Sequence, residues 1–356
     1  MRGNPWLFND RANGSDSSIR LTGVTRAAVA YVGSVGRLDL GRIRDAVHSI
    51  DPVFLETPQF ESVPLSRAMG CSVVLKVETA NPVRSFKARG TETVMSTVAA
   101  EGHYTSAVCA SAGNLGLALA FSGARRGLPV TVFAAETANP LKIERMRSAG
   151  ATVHLDGSDI ERPRSLARSY AAASGSYLVE DSLDIGTCEG AATIALELAA
   201  GESAPDVVLV ALGGGALATG VGHVLHELCP GTQVIAVQPI GAPAMALSWR
   251  NRAVVNTETI DTIADGVAGR HPIPEVLDDL LETVDDVVLV DDESLKIGMR
   301  HLFDFAGLVV EPSAALGLAA VLEDRERFRG LTVATIICGS NIMTSDFQRW
   351  VLDPDR

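Results

Sequence analysis

From residue 106 onward the sequence alternates short apolar runs with longer helical stretches, and no other feature restricts the fold so tightly. Ser106–Ala110, Pro129–Ala134 and Gly150–Leu155 read as strands. Leu115–Arg125 and Pro140–Ser148 read as the helices between them, the first ending near Gly127. The pattern returns with a strand over Asp206–Leu212, a helix over Thr219–Leu228, and strands over Gln233–Val237 and Val333–Ile337. Repeated β-α-β units of this length build parallel sheets with helices on both faces. The expected fold class is α/β: two doubly wound parallel-sheet domains with the ligand site in the cleft between them. The expected division has an N-terminal arm at 1–40, a large domain from 41–100 and 185–356, and a small α/β domain at 101–184. Ligands in open parallel sheets collect beyond the carboxyl ends of the strands, where each glycine-rich or polar motif of this chain falls.

The flanks and the charge narrow the class. Residues 1–40 mix Gly, Ser, Asp and Arg with little periodicity and suit an arm or an oligomer contact. Regular structure is expected near Leu38, with a helix through Ile50. A net charge of −13 argues against a nucleic-acid surface, which needs clustered Lys and Arg. The five cysteines, Cys71, Cys109, Cys188, Cys229 and Cys338, are scattered and have no CxxC spacing. That disfavours a disulfide framework and a zinc site, and fits a reducing, cytoplasmic setting. The N-terminus has no apolar run of signal-peptide length, and the most apolar stretch, Ala107–Ala124, carries Ser111, Asn114 and several glycines. Neither reads as a membrane segment. His223 and His226 stand three apart on a helix with no third ligand in view, so no metal site is expected.

Four motifs carry chemistry. Lys87 lies in Asn81-Pro82-Val83-Arg84-Ser85-Phe86-Lys87-Ala88-Arg89-Gly90, between an aromatic ring and an arginine. A lysine in a partly dry pocket beside another cation gives up its proton more readily, and the free amine can bond a carbonyl. A solvated surface lysine is the plainer alternative. Gly213-Gly214-Gly215-Ala216-Leu217-Ala218-Thr219-Gly220 follows a strand and opens a helix. It is either a tight turn or a phosphate cradle of backbone N–H groups, and it matches neither Walker A nor GxGxxG. Ser111-Ala112-Gly113-Asn114 is either a helix cap or a binding loop for a carboxylate or phenolic oxygen. Cys338-Gly339-Ser340-Asn341 ends the last strand, with a cysteine that is either structural or set against a ring nitrogen.

Together these motifs resemble the fold type II family of pyridoxal 5'-phosphate (PLP) enzymes, in the branch of serine/threonine dehydratases and serine racemases. The resemblance runs from about Ile50 to about Thr344 and includes Glu56-Thr57-Pro58, Thr262-Ile263-Ala264-Asp265-Gly266-Val267-Ala268 and Val310-Glu311-Pro312-Ser313-Ala314-Ala315. It implies that Lys87 holds PLP as a Schiff base and moves protons at the substrate Cα. It implies that Phe86 flanks the ring and Asn114 bonds the phenolic oxygen. Gly213, Gly214, Gly215, Ala216 and Leu217 offer backbone N–H groups to the phosphate. Cys338 meets the ring nitrogen, and Gly266 and Glu311 line the ring's far side. Ser111, Ala112, Gly113 and Asn114 hold the substrate carboxylate. The implied reaction is β-elimination on a β-hydroxy or other β-substituted amino acid. It proceeds through an aminoacrylate to a 2-oxo acid and ammonia, with the cofactor phosphate as the acid. The family also implies a homodimer.

The departures from the family pattern lie around the substrate. Ala112 stands where racemases have a second serine, which leaves two-base racemisation without its partner and favours elimination. Val83-Arg84 replaces Thr-Gly, Leu115 replaces a histidine, and Gly190-Ala191-Ala192-Thr193 replaces Gly-Gln-Gly-Thr. Gln238, Ala242 and Ala244 lack the carboxylates that relatives use for a divalent ion, so that site is expected to be empty or to take a weak monovalent ion. Few residues follow Cys338 in this sequence, so a C-terminal regulatory domain is not expected. β-Replacement on the same fold remains the alternative chemistry.

Overall fold

The computed structural model describes residues 36–353 apart from residue 202. The expected arm at 1–40 therefore falls almost wholly outside the described residues. Ten strands follow in chain order: β1 Gln59–Glu61, β2 Ser72–Val77, β3 Ala107–Ala110, β4 Val130–Ala134, β5 Thr152–Leu155, β6 Tyr177–Val179, β7 Val207–Ala211, β8 Gln233–Pro239, β9 Asp286–Val290 and β10 Thr332–Ile337. They form two sheets, one ordered β1-β2-β10-β7-β8-β9 and the other β5-β4-β3-β6. All pairings are parallel except β1 with β2.

The smaller sheet shows why its strands are apolar throughout. Side chains alternate between the faces of a strand. Ala107 and Cys109 of β3, with Val130, Val132 and Ala134 of β4, share a core with Leu115, Ala118 and Leu119 of the helix Asn114–Arg126. Val108 and Phe133 point the other way and pack on Ala167 of the helix Glu161–Ser174. Both faces are thus covered, as a doubly wound sheet requires. The larger sheet has its own core, in which Val221 and Leu225 of the helix Ala216–Leu228 pack with Val208, Val210 and Val237.

The structure corrects several boundaries. The first helix is Leu40–Ser49 rather than one beginning near Leu38. The strand expected over Gly150–Leu155 begins at Thr152 and is mostly exposed, because β5 is an edge strand with one covered face. The helix expected from Thr219 begins at Ala216, directly after the glycines. No described helix is long and apolar enough to cross a membrane.

Candidate active site

Lys87 opens the helix Lys87–Glu101, and the turn before it is held from two sides. The Asn81 side chain accepts from Val83 N at 3.1 Å and donates to Glu78 O at 2.8 Å. Ser85 pairs with Gly339, Phe86 N donates to Cys338 O at 3.0 Å, and Ser340 N donates to Arg84 O at 3.0 Å. The loop before Lys87 is in this way joined to the carboxyl end of β10. Lys87 Nζ lies 4.8 Å from the centre of the Phe86 ring, and both carboxylate oxygens of Asp181 accept from it at 2.8 and 2.6 Å.

The helix also rests on a buried charge network. Arg89 has no exposed side-chain surface and reaches Glu78 at 2.8 Å and Glu197 at 2.6 Å. Lys76 joins from β2 at 2.5 Å from Glu197. Burial opposes the Glu197 charge, but bonds from Arg89 and Lys76 outweigh it and hold this carboxyl below its ordinary range.

Every residue to which the resemblance gives a cofactor or substrate role lines one cavity of about 420 Å³: Phe86, Lys87, the 111–114 and 213–217 loops, Gly266, Glu311 and Cys338. The glycine loop leaves β7 and enters the helix at Ala216, with Gly215 at φ 114, where a side chain is strained. A Cβ on Gly214 would stand 2.8 Å from Ser182 Oγ. That hydroxyl already accepts from the Ala216 amide at 3.1 Å, so one N–H expected to face a phosphate is engaged here by Ser182. Ser111 Oγ likewise accepts from Gly113 N at 3.1 Å and Gly116 N at 3.0 Å. It thereby serves the start of the next helix.

A polar cluster closes the opposite wall. Asn114 donates to Glu311 at 2.7 Å and accepts from Asn341 Nδ2 at 2.8 Å. Asn341 N donates to the second Glu311 oxygen at 3.1 Å. Lys142 Nζ stands 2.8 Å from Asp265 and 3.9 Å from Glu311. Burial disfavours the Lys142 charge, but Glu311 and Asp265 outweigh it and raise its pKa. Burial also pushes Glu311 up, against the pull of Lys142 and the donors Asn341 and Asn114. The sequence reading missed Lys142, Asp181, Ser182 and the contact of Asn341 with Asn114.

The donor set suits PLP. It offers an amine for the aldehyde, a cradle of glycines at a helix N-terminus for the phosphate, and an amide on the same cavity. Burial pushes the Cys338 thiol up, so it stays protonated and neutral. Buried Ser313 Oγ also lines the cavity and has no hydrogen-bond partner among the described residues.

The fold and site define a two-sheet α/β protein with a lysine and a glycine-rich loop facing one cleft. The family model for "Pyridoxal-phosphate dependent enzyme" matches residues 50–339, and the chain belongs to that family, whose cofactor is PLP. It is 31% identical over 307 residues to the L-threonine ammonia-lyase of Thermotoga maritima, covering 86% of this chain and 76% of the relative. It is 30% identical over 294 residues to the phenylserine dehydratase of Ralstonia pickettii, with 82% and 90% covered. It is 30% identical over 302 residues to the L-threo-3-hydroxyaspartate ammonia-lyase of Saccharomyces cerevisiae, with 85% and 93% covered. Among solved structures, maize serine racemase superposes with a TM-score of 0.82 at 26% identity, covering 87% of this chain and 96% of that one.

Proposed function

We propose that this chain removes a β-substituent from an amino acid, releasing a 2-oxo acid and ammonia, and that its substrates carry a hydroxyl at Cβ. The convergence of the Lys87 amine, the glycine cradle and a neutral thiol on one cavity carries this reading. The three relatives named above support it, since threonine, phenylserine and hydroxyaspartate are all β-hydroxy amino acids. PLP, when bound, supplies an electron sink for the charge released at the substrate Cα.

Lys87 would hold PLP through its amine and, when that amine is free, would serve as the base for the Cα proton. Gly213, Gly214, Gly215 and Leu217 would hold the phosphate of bound PLP, with the Ala216 amide engaged by Ser182, and Phe86 would flank its ring. Asn114, its amide fixed by Glu311 and Asn341, would hydrogen-bond the ring oxygen of bound PLP, and Gly266 and Glu311 would line the ring's far side. Cys338, a neutral thiol on the same cavity, would meet the ring nitrogen of bound PLP without giving it a full positive charge, which would leave the electrons at Cα freer to expel a group from Cβ. Ser111 and its neighbours orient the substrate carboxylate. Ala112 brings only a methyl group to the cavity, so no second proton carrier stands there for racemisation.

We further propose a homodimer, a cytoplasmic setting, and the division into a small domain at 101–184 and a large one from 41–100 and 185–356. The deciding test is borohydride reduction with peptide mapping, then an assay on serine, threonine, phenylserine and 3-hydroxyaspartate. A pyridoxyl adduct on Lys87 and 2-oxo acid from at least one substrate are expected, and Lys87→Ala abolishes both. Absence of the adduct, or of 2-oxo acid across the panel, sinks the reading. A new amino acid formed only when a thiol is added would instead identify β-replacement.

A further inference from the structure

Lys87 has a second titratable group within reach. Asp181 follows β6, lines the same cavity, and keeps 31% of its side chain exposed. Its position does not depend on Lys87 alone. Ser182, the next residue, is fully buried at φ 68. Its amide donates to Thr187 Oγ1 at 3.0 Å, and its hydroxyl accepts from Ala216 N at 3.1 Å. A non-glycine residue in the left-handed region, held by bonds on both sides, marks a loop whose shape is imposed by its surroundings. The other cations of the cavity turn elsewhere: Arg270 to Asp159, Arg164 to Glu161 and Lys142 to Asp265. Among the described residues, Lys87 is the one cation paired with Asp181.

This arrangement bears on a gap in the chemistry. Loss of a β-hydroxyl needs a base at Cα and an acid at the departing oxygen, because hydroxide leaves poorly unless protonated. One amine supplies the base. The free Lys87 amine stands within hydrogen-bond reach of the Asp181 carboxylate, at 2.6 Å.

Resting on the elimination reading, we infer that Asp181 is a second catalytic acid–base group, which relays the proton from Lys87 to the departing hydroxyl. The neutral Lys87 amine takes the Cα proton and becomes an ammonium. The ammonium gives a proton to Asp181, whose carboxyl then protonates the β-oxygen. The Cα–H electron pair forms the Cα=Cβ bond as Cβ–O breaks, and water leaves. Lys87 returns to the amine and Asp181 to the carboxylate, with no oxidant or reductant required. Asp181 thus takes the part that the family resemblance gives to the cofactor phosphate.

The test compares two leaving groups in the PLP-loaded enzyme. β-Chloroalanine expels chloride and needs no proton donor, whereas the best β-hydroxy substrate does. Asp181→Asn is expected to lower kcat on the β-hydroxy substrate by about 100-fold or more. On β-chloroalanine it should lower kcat by no more than about threefold, and Asp181→Glu should recover part of the loss. A loss confined to the hydroxyl substrate is something a merely structural role would not produce. In cofactor-free protein, Asp181→Asn removes the ion pair. Borohydride-trapped adduct should then form on Lys87 at least as fast as in the wild type. Equal losses on both substrates, or an unchanged rate on the hydroxyl substrate, overturn the inference and leave the elimination reading standing. A wild type inactive on both substrates defeats the elimination reading itself.

Discussion

Replacing Gly190 with alanine should damage both stability and chemistry, through one crowded contact. The helices Lys87–Glu101 and Ile185–Ala199 cross where Gly90 and Gly190 face each other. A Cβ on Gly190 would stand 2.6 Å from Gly90 Cα and 2.6 Å from Thr93 Oγ1, and closer still to the Arg89 carbonyl oxygen. Heavy atoms of this kind prefer about 3.5 Å, so the helices must part by about 1 Å. The obstacle is backbone, which cannot swing aside, so the overpacking cost sits near the top of its range, about 3 kcal/mol. Alanine returns about 1 kcal/mol through its better helix propensity, which leaves a net loss of about 2 kcal/mol. Lys87 begins the displaced helix, and a misplacement of about 1 Å at a reacting group can cost about 100-fold in rate. Urea unfolding followed by circular dichroism measures the first effect, and 2-oxo acid formation the second. Gly231→Ala, where an added Cβ meets nothing within 4 Å, is the control and should change neither. Gly190→Ala with stability within about 0.5 kcal/mol of wild type and an unchanged rate would refute the crossing argument.

Three further outcomes follow from burial and charge. Arg89→Met strands the buried Glu78 carboxylate, leaves the partly buried Glu197 to Lys76 alone, and should cost about 3–5 kcal/mol in guanidine unfolding, with Arg89→Lys recovering only part. The Glu197 pKa is held below the ordinary glutamate value of 4.5, so its pairing contributes stability above that pH and loses it as the pH falls through the depressed value. Unfolding measured from pH 7 down to pH 3 should therefore steepen below about pH 4.5, and Glu197→Gln should flatten that limb. Burial pushes the Cys188 thiol up to about 12 and raises Cys109 and Cys338 as well, while Cys229 is partly exposed. A thiol reagent at pH 8 should label Cys229 first in the native protein, and early labelling of Cys338 would contradict its placement.

Apart from the edge strand β5, the strands legible in the sequence were those covered on both faces, because burial on both sides leaves an unbroken apolar run. β3, β4, β7, β8 and β10 are of this kind. β2 was missed although it lies inside the larger sheet, since Lys76 interrupts its apolar run. That lysine is buried because Glu197, 121 residues away, meets it there, and no local pattern carries such a pairing. β9 begins at Asp286, directly after Asp285, which masks its apolar run, and β1 and β6 have three residues each, too few to show a period. The site divides in the same way. Glycines and the Ser-Phe-Lys run announce themselves locally, whereas Asp181 gains its meaning only from Lys87, 94 residues earlier, and Lys142 only from Asp265, 123 residues later.

The contacts between the two sheets explain why those distant partners are charged. Each sheet has its own apolar core, and the bonds spanning the cavity are polar. Lys142, on the helix after β4, meets Asp265 and Glu311, while Asn114, on the helix after β3, meets Glu311 and Asn341. An apolar seam would resist opening in proportion to the area exposed, at about 25 cal/mol per Å². A hydrogen bond exchanged for water costs only about 0.5–1.5 kcal/mol net. A cleft that must admit a cofactor and an amino acid is better closed by the second kind of contact. Glu311 is central because it accepts from both sides at once. Glu311→Gln should therefore loosen the Asn114 position and the cleft together. The expected signs are weaker PLP binding and faster proteolysis of the cofactor-free protein, with the two separate cores intact.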